Sequence, residues 1–161
     1  MTFQITPRDY LGMLQAQHSD YRDDPLSLRK AIALSMFANH ISEHVFAAYS
    51  GSDISKVAGQ KTSDGYRSHL EALKPELKLI RDLCDFGKHG PILSRRTVKV
   101  AKTELKETMV ADPNSFLLGL MNHHAEEKIV ITLDDGSERF FDYLIDDVVK
   151  FWNDHFAAKD L

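Results

Sequence analysis

The sequence predicts a mainly α fold: a helical bundle of about four helices, a small antiparallel β-hairpin or sheet element, and a C-terminal helix. Two observations lead to this prediction. Apolar residues recur at steps of three and four over residues 7–90, and the spacing changes to the alternation typical of strands after Gly90 and Pro91. Because the chain has 161 residues and no linker-like tract, we expect a single domain over residues 1–161. Within it, the bundle occupies 7–90, and the β element and closing helix occupy 97–158.

The first two helices are indicated by the residues at their starts. Thr6 followed by Pro7 is typical of an N-cap and a first helical residue, which predicts a helix to about Tyr21. A second helix is expected to begin near Pro25 and to run to Ser50, because no breaker interrupts it. Its core-facing stripe consists of Leu34, Phe37, Ile41, Val45 and Ala48.

A connection and a broken helical segment follow. Residues 51–62 are small and polar around a short apolar centre, which predicts a loop with one short helical turn. Ser63 is the expected cap of the next helix, and Pro75 predicts a break at Lys74. The helix after the break has two apolar rows, Leu77, Ile80 and Cys84 in one and Leu79, Leu83 and Phe86 in the other.

The β element is expected from three short segments. Residues 97–102 suit a strand because β-branched apolar residues alternate there. Strands at 128–133 and 138–142 flank the turn DDGS at 134–137, whose Asp-Gly pair tolerates the positive φ of hairpin turns. The last segment returns to helical spacing, with Leu144, Val148, Trp152 and Phe156 on one stripe.

The charge balance argues against non-specific binding of nucleic acid. Twenty lysines and arginines stand against twenty-four aspartates and glutamates, which leaves a formal net charge of −4. Any contact with RNA or DNA therefore requires a local basic patch. The best candidate patch contains Lys88, His89, Arg95, Arg96, Lys99 and Lys102, and its simplest interpretation is a solvated face.

Cysteine usage and hydropathy predict a cytoplasmic protein without a membrane partner. Cys84 is the only cysteine, so no intramolecular disulfide can form, and its apolar neighbours indicate a buried, inert thiol. The first ten residues, MTFQITPRDY, lack the pattern of a secretion signal, and no apolar run has the length of a membrane span.

The stretch RDLCDFGKHGPI at 81–92 places an arginine, two aspartates, the only cysteine, a lysine and a histidine within nine residues. One interpretation is structural. Gly90 can adopt the left-handed conformation that ends helices, and Pro91 prevents the helix from continuing. In that case Arg81 and Asp85, four residues apart, form an ion pair on the helix surface.

The other interpretation is chemical. Arg81 can bind a phosphate, and His89, held beside the negative end of the helix, can transfer a proton at neutral pH. RNA would supply its own 2′-hydroxyl as the nucleophile, so neither a metal nor another cofactor is expected. This hypothesis makes Arg81 and His89 the catalytic candidates, and its candidate binding residues are Asp85, Lys88, Arg95 and Arg96.

A resemblance gives the chemical hypothesis a biological setting. A mid-helix histidine, His44, precedes a helix that ends in an RD…KH pattern, made of Arg81, Asp82, Lys88 and His89. Over residues 7–95 this pattern resembles small bacterial helical proteins with an RD…N…KH signature, and more remotely it is similar to HEPN domains. The resemblance implies an RNA-binding protein or a metal-independent endoribonuclease of the toxin or defence type. Seven residues separate Arg81 from His89, a longer spacing than in HEPN domains, so an inactive member of that group is the alternative.

A second histidine motif, HISEH at 40–44, matches the spacing of inverted zincins. There, two histidines one turn apart bind zinc and a glutamate acts as the base. We expect no metal here, because His44 lies on the apolar stripe and is better explained as packed across the bundle. His123 and His124 could complete a metal site with His40 and His44, but adjacent histidines near a helix end are expected as exposed or capping groups.

Two classes of function remain. The first is a HEPN-like protein that acts on or binds RNA. It is expected to be a homodimer, because two copies of the same helix end would double the basic groups around one phosphate. The second is a non-enzymatic helical module whose partner is another protein, in which the 81–92 stretch only ends a helix.

Overall fold

The computed structural model describes residues 5–89, 100–111 and 123–161, with the backbone alone at 86–89 and 111. The described part is mainly helical with a three-stranded antiparallel sheet, which confirms the predicted fold class. The helices are α1 Pro7–Arg22, α2 Leu28–Tyr49, a 3₁₀ turn Ile54–Val57, α3 Ser63–Leu73, α4 Glu76–His89 and α5 Phe141–Lys159. The strands are β1 Val100–Ala111, β2 His123–Leu133 and β3 Glu138–Phe140.

The start of α1 agrees with the sequence prediction, whereas the start of α2 does not. Thr6 caps α1 through a capping box, in which its hydroxyl accepts from the Asp9 amide while the Asp9 carboxylate accepts from the Thr6 amide, as the Thr-Pro pattern predicts. The predicted start of α2 near Pro25 is wrong. Ser27 is the N-cap, because its extended backbone lets its hydroxyl accept from the Lys30 amide.

The break between α3 and α4 lies where proline predicts it. Lys74 has an extended backbone, with φ −138° and ψ 91°, because the ring of Pro75 disfavours a helical conformation in the preceding residue. The predicted cap of α3, Ser63, is wrong by one position. Thr62 is the cap, and its hydroxyl accepts from the Gly65 amide at 3.0 Å.

The sheet has the order β1-β2-β3, and every predicted strand has different bounds. The strand expected at 97–102 runs from Val100 to Ala111, with 97–99 outside the described residues, and the one expected at 128–133 begins at His123. The third strand ends at Phe140 rather than 142, because α5 begins there. The outer parts of β1 and β2 mix charged and apolar residues on both faces, so alternation does not mark them. The hairpin turn itself is confirmed, with Gly136 at φ 81°.

One continuous hydrophobic core joins the helices to the inner end of the sheet. α2 lies against α1, α3, α4 and α5, and α5 also packs on β2. Trp152 of α5 is 1% exposed, and the rings of Tyr21 and Phe141 meet edge to face at 5.1 Å between centroids. No helix in the described part of the chain is long and apolar enough to cross a membrane.

Candidate functional site

Arg81 lies on the face of α4 that turns toward α3. Its Nη1 is 2.7 Å from Oε1 of Glu71, and its Nε is 3.8 Å from Oδ1 of Asp82 on its own helix. All three side chains are largely buried, with 17%, 13% and 5% of the Arg81, Glu71 and Asp82 side chains exposed. The expected ion pair with Asp85 is wrong: among the described contacts, Glu71 across the helix break holds the guanidinium.

This environment determines what Arg81 can do chemically. Its positive charge is balanced by two carboxylates at close range, and little of the side chain reaches solvent. Asp85 lies partly buried on the next turn, whereas the side chains of Lys88 and His89 are not described. Arg95 and Arg96 lie outside the described residues. In the described part of the predicted set, Arg81 therefore faces acidic groups of its own chain.

The HISEH motif forms contacts within the bundle. His40 Nδ1 lies 3.1 Å from Oε2 of Glu43, and the other oxygen of this carboxylate accepts from Nη2 of Arg67 at 2.7 Å. His44 stacks on the ring of Tyr10 in α1, with centroids 4.0 Å apart, so its predicted packing across the bundle is confirmed. Burial, assisted by the negative charge of Glu43, raises the pKa of Tyr10 to about 12. The Glu43 carboxylate thus contacts both His40 and Arg67.

No cluster of three or more potential metal ligands occurs among the residues that the structure describes. His123 and His124 are the first residues of strand β2, and both side chains are exposed, which is one of the two expected settings; the residues before them, where a helix end is expected, lie outside the described part of the chain. His124 Nε2 lies 3.9 Å from Oε2 of Glu126, two residues along the same strand. His123 and His124 therefore lie far along the chain from the HISEH motif, on a strand and not on helix α2.

A titratable pair, made of a buried tyrosine and a half-buried histidine, joins α3 to α5. The hydroxyl of Tyr66 and Nε2 of His155 are 3.0 Å apart, and the His155 ring stacks on Phe151 with centroids 5.4 Å apart. Burial, together with the positive charge of Lys159 and the nearby His69, lowers the pKa of His155. Burial raises the pKa of Tyr66. The folded state therefore favours neutral His155.

A groove of about 570 Å³ lies where the α3–α4 break, the β2–β3 turn and the first turns of α5 meet. We call it the junction groove. Its apolar lining consists of Pro75, Leu79, Leu133, Phe140, Tyr143 and Leu144. Its charged and polar lining consists of Glu71, Glu76, Lys78, Asp135, Ser137, Glu138, Arg139 and Asp147. Tyr143 is 57% exposed, an unusual degree for a large ring.

The charges of the junction groove are mostly negative. Five carboxylates line it against two cationic side chains. Cations outside the lining compensate four of the five carboxylates: Arg81 lies 2.7 Å from Glu71, Lys74 lies 3.4 Å from both Glu76 and Asp147, and Lys106 lies 2.6 Å from Glu138. The groove is thus an apolar surface with an acidic rim.

Sequence reasoning missed the junction groove because its three parts are distant in the chain. Each part carried a local signal, namely the break at Pro75, the DDGS turn and the start of the last helix. Nothing in the linear sequence shows that these points meet. Only the packing of α5 against β2 and α4 brings them to one place.

Comparisons with known proteins identify no relative of this chain. No family model, curated protein or solved structure matches the chain. The resemblance to HEPN domains accordingly rests on His44, Arg81, Asp82, Lys88 and His89 alone.

Proposed function

We propose that this chain is a non-enzymatic helical module that binds another protein. Its binding site is the junction groove, and the partner contributes a segment that carries both basic and apolar side chains. The observation that carries the proposal is the combination of an apolar floor with five carboxylates in one groove.

The apolar part of the groove supports a protein partner. Large aromatic side chains with a polar tip are favoured at protein interfaces because they bury much area at a low entropic cost. Tyr143 has this character and stands on the first turn of α5, with its ring edge to face against Phe140 at 5.9 Å. A partner side chain that covered this pair would remove exposed aromatic surface from water.

The charges favour a basic segment over a polyanion. A phosphate chain in the groove would lie among carboxylates, whereas lysine or arginine side chains would gain attraction from Asp147, whose side chain is 59% exposed. Arg81, the residue on which phosphate binding would depend, is engaged by Glu71 and Asp82. Both observations support the interaction module over RNA chemistry.

A binding assay with defined peptides tests the proposal. Short labelled peptides that alternate Lys or Arg with Leu or Phe should bind, and peptides with Glu in place of the basic residues should not, as measured by fluorescence anisotropy. Asp147→Lys should weaken binding about tenfold or more, because attraction becomes repulsion. Tyr143→Ala should cost about 1–2 kcal/mol of binding free energy.

The matched control is Asp154→Lys, which makes the same charge change on the same helix but outside the groove, at a residue paired with Lys150. It should bind the basic peptides as the wild type does. Equal weakening by Asp147→Lys and Asp154→Lys would contradict the groove as the site, and preference for the acidic peptides would contradict the charge argument.

The RNA-directed function implied by the resemblance is the competing prediction. It requires that labelled single-stranded RNA bind or be cleaved, and that His89→Ala reduce cleavage by about two to four orders of magnitude with stability nearly unchanged. If that result were obtained while the basic peptides failed to bind, the interaction module would be abandoned.

A further inference from the structure

Strand β1 forms an edge of the sheet. It pairs with β2 on one side, in a register that runs from Val100 opposite Leu133 to Ala111 opposite His123. On its other side no strand pairs with it among the described residues. A twelve-residue edge leaves a row of backbone donors and acceptors that can pair with another strand.

Two of the exposed side chains of β1 are large and apolar. Leu105 is 42% exposed and Met109 is 63% exposed, and both project from the same face because they are four positions apart along the strand. Leu105 lies directly opposite Ile129 of β2, which is 2% exposed. The apolar row of the sheet thus runs from the buried Ile129 to Leu105 at the edge, where the side chain is exposed.

Charge along the edge selects its partner. A two-fold axis perpendicular to a sheet pairs residues of equal parity from two antiparallel edge strands. With the axis at Leu105, Leu105 meets Leu105 of the second copy, and Glu104 meets Lys106 twice. Thr103 then meets Glu107, and Lys102 meets Thr108. Over 102–108 no like charges are opposed.

Neighbouring registers are worse. With the axis moved to Glu104, two copies of Glu104 meet and Lys102 meets Lys106, so like charges oppose each other three times. With the axis at Lys106, two lysines meet and Leu105 faces Glu107. The lysines, which usually protect an edge from foreign strands, therefore become complementary in the Leu105-centred register.

We propose that β1 is a self-association edge, through which two copies of this chain pair antiparallel about a two-fold axis at Leu105. The two sheets join into one sheet of six described strands. Leu105 of each copy covers the other, and the Glu104–Lys106 contacts set the register. This interface is separate from the junction groove, so it holds whether or not the groove binds a partner.

Charge exchange between two variants tests the proposal. Wild-type protein should sediment as a dimer of twice 18.3 kDa at micromolar concentrations. Glu104→Lys and Lys106→Glu should each weaken the dimer by about tenfold or more, because each places like charges opposite one another twice. A mixture of the two variants should form a heterodimer with near wild-type affinity, since each lysine at position 104 or 106 of one chain then faces a glutamate of the other.

Two further variants make the result decisive. Glu127→Lys reverses a charge on the exposed part of β2, away from the edge, and should dimerise normally. Leu105→Lys should give a monomer. It replaces Lys106→Glu as the test if that variant unfolds because it loses the 2.6 Å contact of Lys106 with Glu138, and circular dichroism would reveal the unfolding. A monomeric wild type at about 100 μM, or variants that dimerise alone but do not exchange, would overturn the proposal. So would a monomer whose β1 amides resist hydrogen exchange, since another part of the chain or a different protein would then cover the edge.

Discussion

The helical body, which comprises α1 to α5, and the outer ribbon, which comprises residues 102–110 and 123–128, are stabilised in different ways. In the body, large side chains such as Trp152 and Tyr66 are fully buried in one core. In the outer ribbon every side chain is at least partly exposed. The ribbon is therefore defined by backbone hydrogen bonds with little core beneath it, and a two-stranded ribbon of that kind is marginally stable by itself.

The difference indicates where each kind of function belongs. A packed body holds side chains in fixed positions, and the junction groove lies where the body meets the inner end of the sheet. An exposed ribbon with apolar side chains gains stability when another strand or chain covers it. The groove is thus suited to recognition, and β1 is suited to assembly.

The largest expected effect tests whether stability resides in the body. Trp152→Ala should lower the free energy of unfolding by about 3–5 kcal/mol, because it removes a fully buried aromatic ring and leaves a cavity. Met109→Ala, on the exposed ribbon, should change it by less than about 0.5 kcal/mol. Urea unfolding at one low protein concentration measures both. Similar losses in the two variants would contradict the contrast between body and ribbon.

The second prediction concerns the ion pair inside the body. Arg81→Ala should destabilise by about 1–3 kcal/mol, because it leaves the largely buried Glu71 carboxylate without its cation. Glu71→Gln in the same chain should restore part of that loss, and a double-mutant cycle measures the coupling free energy. A cycle with no coupling would mean that the 2.7 Å contact contributes nothing to stability.

A smaller effect distinguishes the two candidate caps of α3. Thr62→Ala should cost about 1 kcal/mol, since the Gly65 amide loses its hydroxyl acceptor. Ser63→Ala, one residue further on, should cost less than about 0.5 kcal/mol, because Ser63 is the first helical residue and not the cap. Thermal unfolding of the two variants compares them, and the reverse order would restore the assignment made from sequence.

The last prediction is the dependence of the body's stability on pH. Because the pKa of His155 is lowered in the folded state, the unfolded chain binds its proton first as the pH falls through about 6.5. The neutral form is favoured by folding, so this contribution is present above about pH 6.5 and is lost below it.

The measurement for His155 is a difference between two melting curves. The wild type should lose more thermal stability between pH 7 and pH 5 than His155→Gln, which cannot titrate at that position. Parallel pH profiles for the two proteins would show that His155 contributes nothing. The outer ribbon carries His123 and His124 exposed, so His123→Gln should leave the pH profile unchanged and serves as the control.

Local features of the sequence were sufficient for the helices. The Thr6-Pro7 start and the break at Lys74 depend on residues within a few positions of each other, and both are present in the structure. The predicted stripe of α2 is present in part: Leu34, Ile41 and Val45 are buried and Phe37 is half-buried, but Ala48 is exposed. The errors were also local. α2 begins after Ser27 and not near Pro25, and Thr62 rather than Ser63 caps α3, because the backbone conformation decides which hydroxyl meets the first free amides of the helix.

The strands and the candidate site depended on more distant contacts. The lengths of β1 and β2 are set by their mutual pairing, which extends beyond the apolar positions that marked 128–133. Likewise, Arg81 has one acid four positions away, Asp85, and another ten positions back, Glu71. The shorter separation along the helix predicts a pair with Asp85, but the guanidinium contacts Glu71. The turn between α3 and α4 brings Glu71 to Arg81, and helical spacing alone cannot show this.

The sequence by itself determined that the protein is mainly helical, where most of its helices lie, and that a hairpin turns at Gly136. These properties follow from backbone preferences and from the periodicity of apolar residues, which act over a few positions. Only the tertiary structure decided that Glu71 pairs with Arg81, that Pro75, Asp135 and Tyr143 line one groove, and that β1 is an edge. The reason is physical: packing one core brings together side chains that are far apart in the chain, and their chemistry depends on the neighbours they then acquire.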